Sequence, residues 1–185
     1  MVYFRAAFAG SSGRGFPLKR FVARHQPRLS CACWLKAGLG ATLGMGFVGW
    51  LGQASGVPFL IAPFGASCVL LFAVPGSPLA QPANVIGGHV LATAMALALR
   101  AVLPPEWWAI SLAVGMVIGA MVALRLTHPP AGADPVVVFL ADPGWTFLLA
   151  PVLAGALALV AIAALYHRLP PRTAFPMLKE TNALN

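Results

Sequence analysis

Apolar and polar positions in this chain separate into long blocks. Residues 1–33 form a polar, basic arm. Trp34 to Gly52 predicts a first full-length membrane span, which takes about 20 residues, with Trp34 and Trp50 placed where interfacial aromatics belong. Its Gly38, Gly40, Gly44, Gly46, Gly49 and Gly52 leave a surface that another helix backbone can approach closely. Val57 to Val74 is a shorter apolar run broken by Pro58, Pro63 and Gly65, and Pro75-Gly76-Ser77-Pro78 stops it. Asn84 to Leu103 predicts a second long span, closed by Pro104-Pro105, and Trp107 to Leu126 a third, with Gly115 and Gly119 in small-xxx-small spacing. Thr127-His128-Pro129-Pro130-Ala131-Gly132-Ala133-Asp134-Pro135 interrupts the apolar pattern before the brief run Val136 to Ala141 and the stop Asp142-Pro143-Gly144. Trp145 to Tyr166 predicts a fourth long span, uncharged throughout, and residues 167–185 form a tail.

The two interrupted segments resemble each other. Pro63, Gly65, Ala66, Val69 and Phe72 fall without a gap on Pro130, Gly132, Ala133, Val136 and Phe139. Each half of the domain over 34–166, namely 34–103 and 107–166, then reads as a long span, a short Pro/Gly-broken segment and another long span. Paired short segments of this kind point to a transporter's binding site near the bilayer midplane. If the short segments dip in and return, the total is four crossings and the halves are parallel repeats; if they cross, it is six and the halves are inverted. The stretch Ala131 to Ala141, with Asp134 inside it, is too short for a normal span and favours re-entry. The expected fold is an all-α polytopic membrane protein with four full-length transmembrane helices and two short segments in two internal repeats.

Composition strengthens this reading. Hydrophobic residues make up 59% of the 185 and charged residues 9%, which excludes an ordinary soluble domain. Ala37 to Leu99 contains no Asp, Glu, Lys or Arg. Nineteen Gly and seventeen Pro suit a bundle of broken helices, because neighbouring segments in a membrane can satisfy the freed backbone groups.

The net charge of +8 concentrates at the ends of the chain. Arg5, Arg14, Lys19, Arg20, Arg24, Arg28 and Lys36 precede most of the first span, while Arg168, Arg172 and Lys179 follow the last. Basic flanks resist translocation, so both termini are expected in the cytoplasm of a bacterial inner membrane and the number of crossings is even. The arm is expected to meet anionic lipid headgroups rather than nucleic acid, since it lacks aromatic interleaving. An Arg- and Ser-bearing arm with no acid before Glu106 also fits an organellar transit peptide, whereas Met1 to Phe8 is too short for a secretory apolar core. Cys31, Cys33 and Cys68 are too few for a disulfide framework, and interfacial packing is favoured for the first two.

The stretch from Thr127 to Asp134 is the richest in chemistry. Pro129-Pro130 ends one helix and can begin another, whose N-terminus favours an anion. Arg125 and His128 add positive charge or donors, and Gly132 is counted with Pro129 and Pro130 among the candidate substrate-binding residues. Asp134, if at membrane depth, must be paired or protonated; the bland alternative pairs it with Arg125 at the interface and leaves His128 capping its helix. Ser67 occupies the matching place in the first half, beside Pro63 and Gly65, and either meets a ligand or bonds back to its own helix. Asn84 and His89 open the next span, and His89 lies about one turn inside the membrane, needing a partner. His25 and His167 flank the spans and are expected to titrate in solvent. No cofactor is expected, no nucleophile–His–acid triad has a spacing logic, and metal ligation by His89, His128 and Asp134 has no characteristic spacing. The function expected is a transporter or channel for a small anion, not an enzyme, and a homo-oligomer is compatible with four spans. The rival is an assembly or sensor subunit that packs through glycine-lined helices and has no polar groups converging inside.

The residues also resemble a known family. Pro63-Phe64-Gly65-Ala66-Ser67, Phe72-Ala73-Val74-Pro75, Ser77-Pro78-Leu79-Ala80-Gln81-Pro82 and Asn84-Val85-Ile86-Gly87-Gly88-His89, with His128-Pro129-Pro130-Ala131-Gly132-Ala133, are similar to the HPP family of integral membrane proteins over residues 35–166. The resemblance implies four membrane-spanning helices and transport of nitrite, an activity associated with cyanobacterial and plastid members.

Overall fold

A computed structural model describes residues 22–24 and 30–177. His25, most of the basic arm and Lys179 lie outside the described residues, as does the question of a transit peptide. Among the described residues every regular element is a helix.

Helix α1, Cys31–Ser55, stops at Gly56, whose φ of 73° is left-handed and whose N–H reaches back to the Gly52 carbonyl. A non-helical stretch leads to α2, Ala62–Cys68, with Pro63 in its first turn, and α2 runs on as a π-helical turn, Val69–Ala73. Ser77 caps a 3-10 turn, Pro78–Ala80, by accepting from the Leu79 N–H. Helix α3, Pro82–Arg100, begins on a proline, where a missing N–H costs nothing, and α4 spans Trp107–Ala123. A 3-10 turn, Pro129–Ala133, leads into α5, Asp134–Ala141. A π-helical turn, Leu148–Leu153, then precedes α6, Ala154–Tyr166.

Three helices, Cys31–Ser55, Pro82–Arg100 and Leu148–Tyr166, are long and apolar enough to cross a membrane; Trp107–Ala123 and the two interrupted segments are shorter apolar helices. The last of the three is not the smooth span its uncharged sequence suggested. Ala150 is non-helical (φ −141°, ψ 119°) and Pro151, inside the helix, has no N–H to give the ladder.

The six apolar segments alternate in direction. At one end of the bundle the Tyr166 hydroxyl donates to the Lys36 carbonyl (2.9 Å), the Phe72 ring meets that of Tyr166, and the Met177 N–H donates to Gln81 Oε1 (2.8 Å). Asn84 donates to the Thr127 carbonyl (3.0 Å) near the same end. At the other end Arg100 donates to Asp142 (2.8 Å). The first short segment starts where a Cβ on Gly52 would meet the Val57 carbonyl and finishes with Phe72 over Gly40, so it runs antiparallel to α1. The second starts beside Asn84 and finishes beside Arg100, parallel to α3.

Neither short segment therefore turns back to the end where it began, contrary to the re-entry expectation. The reason is rise per residue. Extended backbone advances about 3.3 Å per residue and a 3-10 turn about 2.0 Å, against 1.5 Å for an α-helix. Pro58–Ile61 and Leu126–Ala133 cover distance that a count of helical residues misses.

Glycine placement explains the packing of α1. A Cβ on Gly40 would come 2.5 Å from the Phe72 ring, and one on Gly44 3.0 Å from it, so these glycines seat the first short segment. Gly155 of α6 likewise leaves room for the Phe64 ring. A Cβ on Gly38 or Gly46 would meet nothing among the described residues within 4 Å. Trp34, Leu39, Leu43 and Trp50 point outward, which suits a helix whose outer face meets lipid.

Candidate functional site

Between the two short segments lies a wholly buried polar cluster. Ser67 comes from α2, His89 and Thr93 from one face of α3, one turn apart, and His128 and Asp134 from the second interrupted segment; each is at most 1% exposed. His89 lies about 10 Å along α3 at 1.5 Å per residue.

The contacts form a chain. Ser67 Oγ sits 2.8 Å from His89 Nε2 and 2.9 Å from His128 Nε2, and also 3.1 Å from its own helix's Pro63 carbonyl. His89 Nδ1 is 2.8 Å from Asp134 Oδ2, which also accepts from the Thr93 hydroxyl (3.2 Å). His128 Nδ1 donates to the Leu79 carbonyl (2.9 Å). Asp134 Oδ1 is buried without a partner among the described residues. Such an atom is costly in a low-dielectric interior unless something fills it.

Aromatic and glycine neighbours hold the rings in place. Phe64 meets His89 edge-on at 5.2 Å between centroids, and the two imidazoles are 5.0 Å apart. A Cβ on Gly88 would come 2.8 Å from the His128 Cβ and 3.1 Å from the Leu126 carbonyl, so glycine lets that segment lie directly on α3.

Of the residues read from sequence, Ser67, His89, His128 and Asp134 converge. Pro63 and Pro130 are buried beside them, starting the segments that bring Ser67 and Asp134 in. Asn84 lies at the rim, tied to Thr127. Gly65 and Pro129 are exposed, and Gly132 is half-buried against Ile118. Arg125 is exposed, in a left-handed turn (φ 59°), and does not pair with Asp134; His89 does. His128 does not cap its helix, since its ring reaches Leu79 instead. His167 is also not solvent-borne: it is 3% exposed and its Nε2 donates to the Leu71 carbonyl (2.8 Å). Around the prolines the first amides are spent locally, Phe64 N–H on the Ile61 carbonyl (3.1 Å) and Ala131 N–H on the His128 carbonyl (3.0 Å). The donors at the junction are thus chiefly side chains.

Three participants were not foreseen. Thr93 stands four residues after His89, on the same helical face, and that spacing was the available signal. Phe64 and Gly88 lie inside the quoted motifs but were not assigned contacts. Ser67, His89 and Asp134 also stand in the order of a nucleophile–His–acid triad, which spacing had not suggested. Ser67 is fully buried, and its Oγ also meets a second imidazole, that of His128. Among the described residues no group of three His, Cys, Asp or Glu side chains is arranged to hold a metal ion.

Comparison with known proteins gives a consistent picture. The family model "HPP, transmembrane region" matches residues 26–176. Two transmembrane proteins of Dictyostelium discoideum are 33% identical over 126 residues and 32% identical over 127, each alignment covering 64% of this chain and 44% and 41% of the relative. The chain thus spans less than half the length of these curated relatives. No solved structure matches it. Because the matched region takes in all the helices described above, and with them the buried Ser–His–His–Asp cluster, the chain belongs to the HPP family of transmembrane proteins.

Proposed function

We propose that the protein is a transporter or channel for a small inorganic anion, with nitrite the substrate that its family resemblance suggests. The observation that carries this reading is the convergence of Ser67, His89, His128 and Asp134 where the two interrupted segments meet. Buried ionisable groups in a membrane bundle are retained for function by default, because an unpaired charge at the bilayer centre costs roughly 3 kcal/mol on insertion scales. The His and Ser donors supply the polarity an anion needs, and Asp134 keeps the cluster from accumulating positive charge.

In this reading all six segments pass through the bilayer, three as long helices and three, Trp107–Ala123 and the two interrupted segments, as shorter ones. The halves 34–103 and 107–166 are then inverted repeats around the cluster, a common transporter plan. Lys36, Arg125, Arg168 and Arg172 fall at or near the end of the bundle that carries both described termini, which we assign to the cytoplasmic face of a bacterial inner membrane. The cluster serves no hydrolysis and needs no cofactor. A second reading, a subunit that associates through helix faces, draws on Gly38 and Gly46 of α1 and Gly115 and Gly119 of α4, where an added Cβ would meet nothing within 4 Å. Those faces fit close approach by a second copy in a homo-oligomer.

Uptake in proteoliposomes tests the transport reading. Nitrite, nitrate or formate should enter faster than into protein-free vesicles, and His128→Ala should impair flux more than expression. Flux equal to that of protein-free vesicles for all three anions removes the claim.

A further inference from the structure

We propose that the buried cluster holds one more proton than its groups carry in their usual states at neutral pH, and relays it between His89 and His128 through Ser67. The hydrogens available to the cluster fall one short of its contacts. Four short contacts have to be filled, Asp134–His89, His89–Ser67, Ser67–His128 and His128–Leu79, all between 2.8 and 2.9 Å; the Ser67 hydroxyl also lies 3.1 Å from the Pro63 carbonyl, a longer contact it can serve only by sharing its one hydrogen. An ionised Asp134 brings no proton, a neutral His89 one, Ser67 one and a neutral His128 one. One contact is left with two lone pairs facing each other. A single extra proton fills it and leaves the cluster without net charge, the state that burial demands.

The Leu79 carbonyl can only accept, so His128 Nδ1 carries a hydrogen in every arrangement. With the extra proton present, two patterns fill all four short contacts. In the first, it lies between Asp134 and His89 Nδ1; His89 Nε2–H donates to Ser67 Oγ, whose hydroxyl donates to a neutral His128. In the second, His89 Nδ1–H donates to the Asp134 carboxylate, the Ser67 hydroxyl donates to His89 Nε2, and His128 is an imidazolium whose Nε2–H donates to Ser67 Oγ. Passing from one to the other breaks the His89 Nε2–H bond and forms an O–H bond on Ser67, while the old Ser67 O–H bond breaks and an Nε2–H bond forms on His128. Nothing else is consumed or released, and one positive charge moves across Ser67.

Among the described residues the helices packed around the cluster bring no competing charge to it. α2 adds only Cys68, α3 ends on Arg100, which pairs with Asp142 at the far end, and α4 and α5 carry no other ionisable side chain than Asp134. α6 has none before Tyr166, which bonds to Lys36 at the bundle's end. The unpartnered Asp134 Oδ1 marks the inner end of the chain as an unfilled acceptor, where a further proton would be held. Coupling of this proton to an anion rests on the transport reading above; the proton site does not.

Two measurements separate the claims. Nitrogen NMR of protein labelled in its histidines, in lipid nanodiscs at neutral pH, together with infrared spectra of wild type against Asp134→Asn, reads the proton directly. The expected result is either one imidazolium among His89 and His128 or a protonated Asp134 carboxyl. Two neutral imidazoles beside an ionised carboxylate overturn the site, whatever is transported. In proteoliposomes a gradient of one pH unit, acid outside, should drive about tenfold accumulation of nitrite at one proton per anion, measured above protein-free vesicles. Ser67→Ala should abolish that accumulation and Ser67→Thr, which keeps the hydroxyl, should restore it. Downhill nitrite exchange without gradient-driven accumulation overturns the coupling and leaves transport standing. Absence of any nitrite flux defeats the transport reading, while the spectra still decide the proton site.

Discussion

The two interrupted segments do the same topological job by opposite means. Val57–Ala73 is fixed by rings in sockets: Phe72 on Gly40 and Gly44, and Phe64 on Gly155. The second, from His128 to Ala141, is fixed largely by hydrogen bonds, with His128 on Leu79 and Ser67 and Asp134 on His89 and Thr93. Within lipid the difference has consequences, because apolar burial no longer separates a packed helix from a loose one. Close van der Waals fit and interhelical hydrogen bonds remain. The first segment relies on fit and presents one polar side chain, Ser67, to the second, which relies on polarity. Their junction is where a structural device and a functional one become the same residues.

The sharpest way to break this comparison is Asp134→Ala. It strips His89 and Thr93 of a buried partner, and removing one member of such a pair costs about 3–5 kcal/mol. A large fall in the thermal midpoint of the detergent-solubilised protein is expected. A midpoint close to wild type would show that the polar seam is not what holds the second segment. Phe72→Ala tests the other seam and should cost about 3 kcal/mol, the loss for a large ring leaving a close-fitting site. If it proves more damaging than Asp134→Ala in the same melting assay, the ranking of the two seams is reversed. Thr93→Val sharpens the polar side alone. It removes one hydrogen bond to Asp134 Oδ2 at nearly constant volume, so a loss of about 1 kcal/mol is expected, with His89 still in place.

Much of this contrast was legible beforehand. The long blocks and their proline stops depend on local chemistry, and the blocks fall on helices, although Trp107–Ala123 is shorter than a full span; of the matched Pro-x-Gly-Ala pairs the first opens an α-helix and the second lies in a 3-10 turn. Ser67, His89, His128 and Asp134 were selected because polar groups in an apolar chain are conspicuous. Direction was not legible, because it depends on how far non-helical residues reach, and a length rule tuned to α-helices undercounts them. Partners were not legible either. Asp134 was offered Arg125 because the two are near in sequence, but its actual partners on α3 become neighbours only through the fold. The break at Ala150–Pro151 is a different kind of miss: the run from Trp145 to Tyr166 is uncharged, but absence of charge says nothing about the proline that interrupts its helix.

Arg125 supplies the smallest expected effect and the cleanest check on where the site ends. Its side chain is exposed and no residue of the polar cluster touches it, so its charge is screened by solvent or headgroups before it reaches His128. Its backbone, at φ 59°, is in the region that glycine tolerates best. Arg125→Gly therefore removes a charge and relieves strain at once, with a more flexible unfolded chain offsetting the gain. Stability should change by no more than about 0.5 kcal/mol, the usual range for a surface substitution, and nitrite flux in proteoliposomes should match wild type. A several-fold loss of flux with an unchanged melting temperature would carry the site outward from the Ser–His–His–Asp chain to the bundle's surface. The anion's path would then begin at Arg125, with the buried polar seam as its second station.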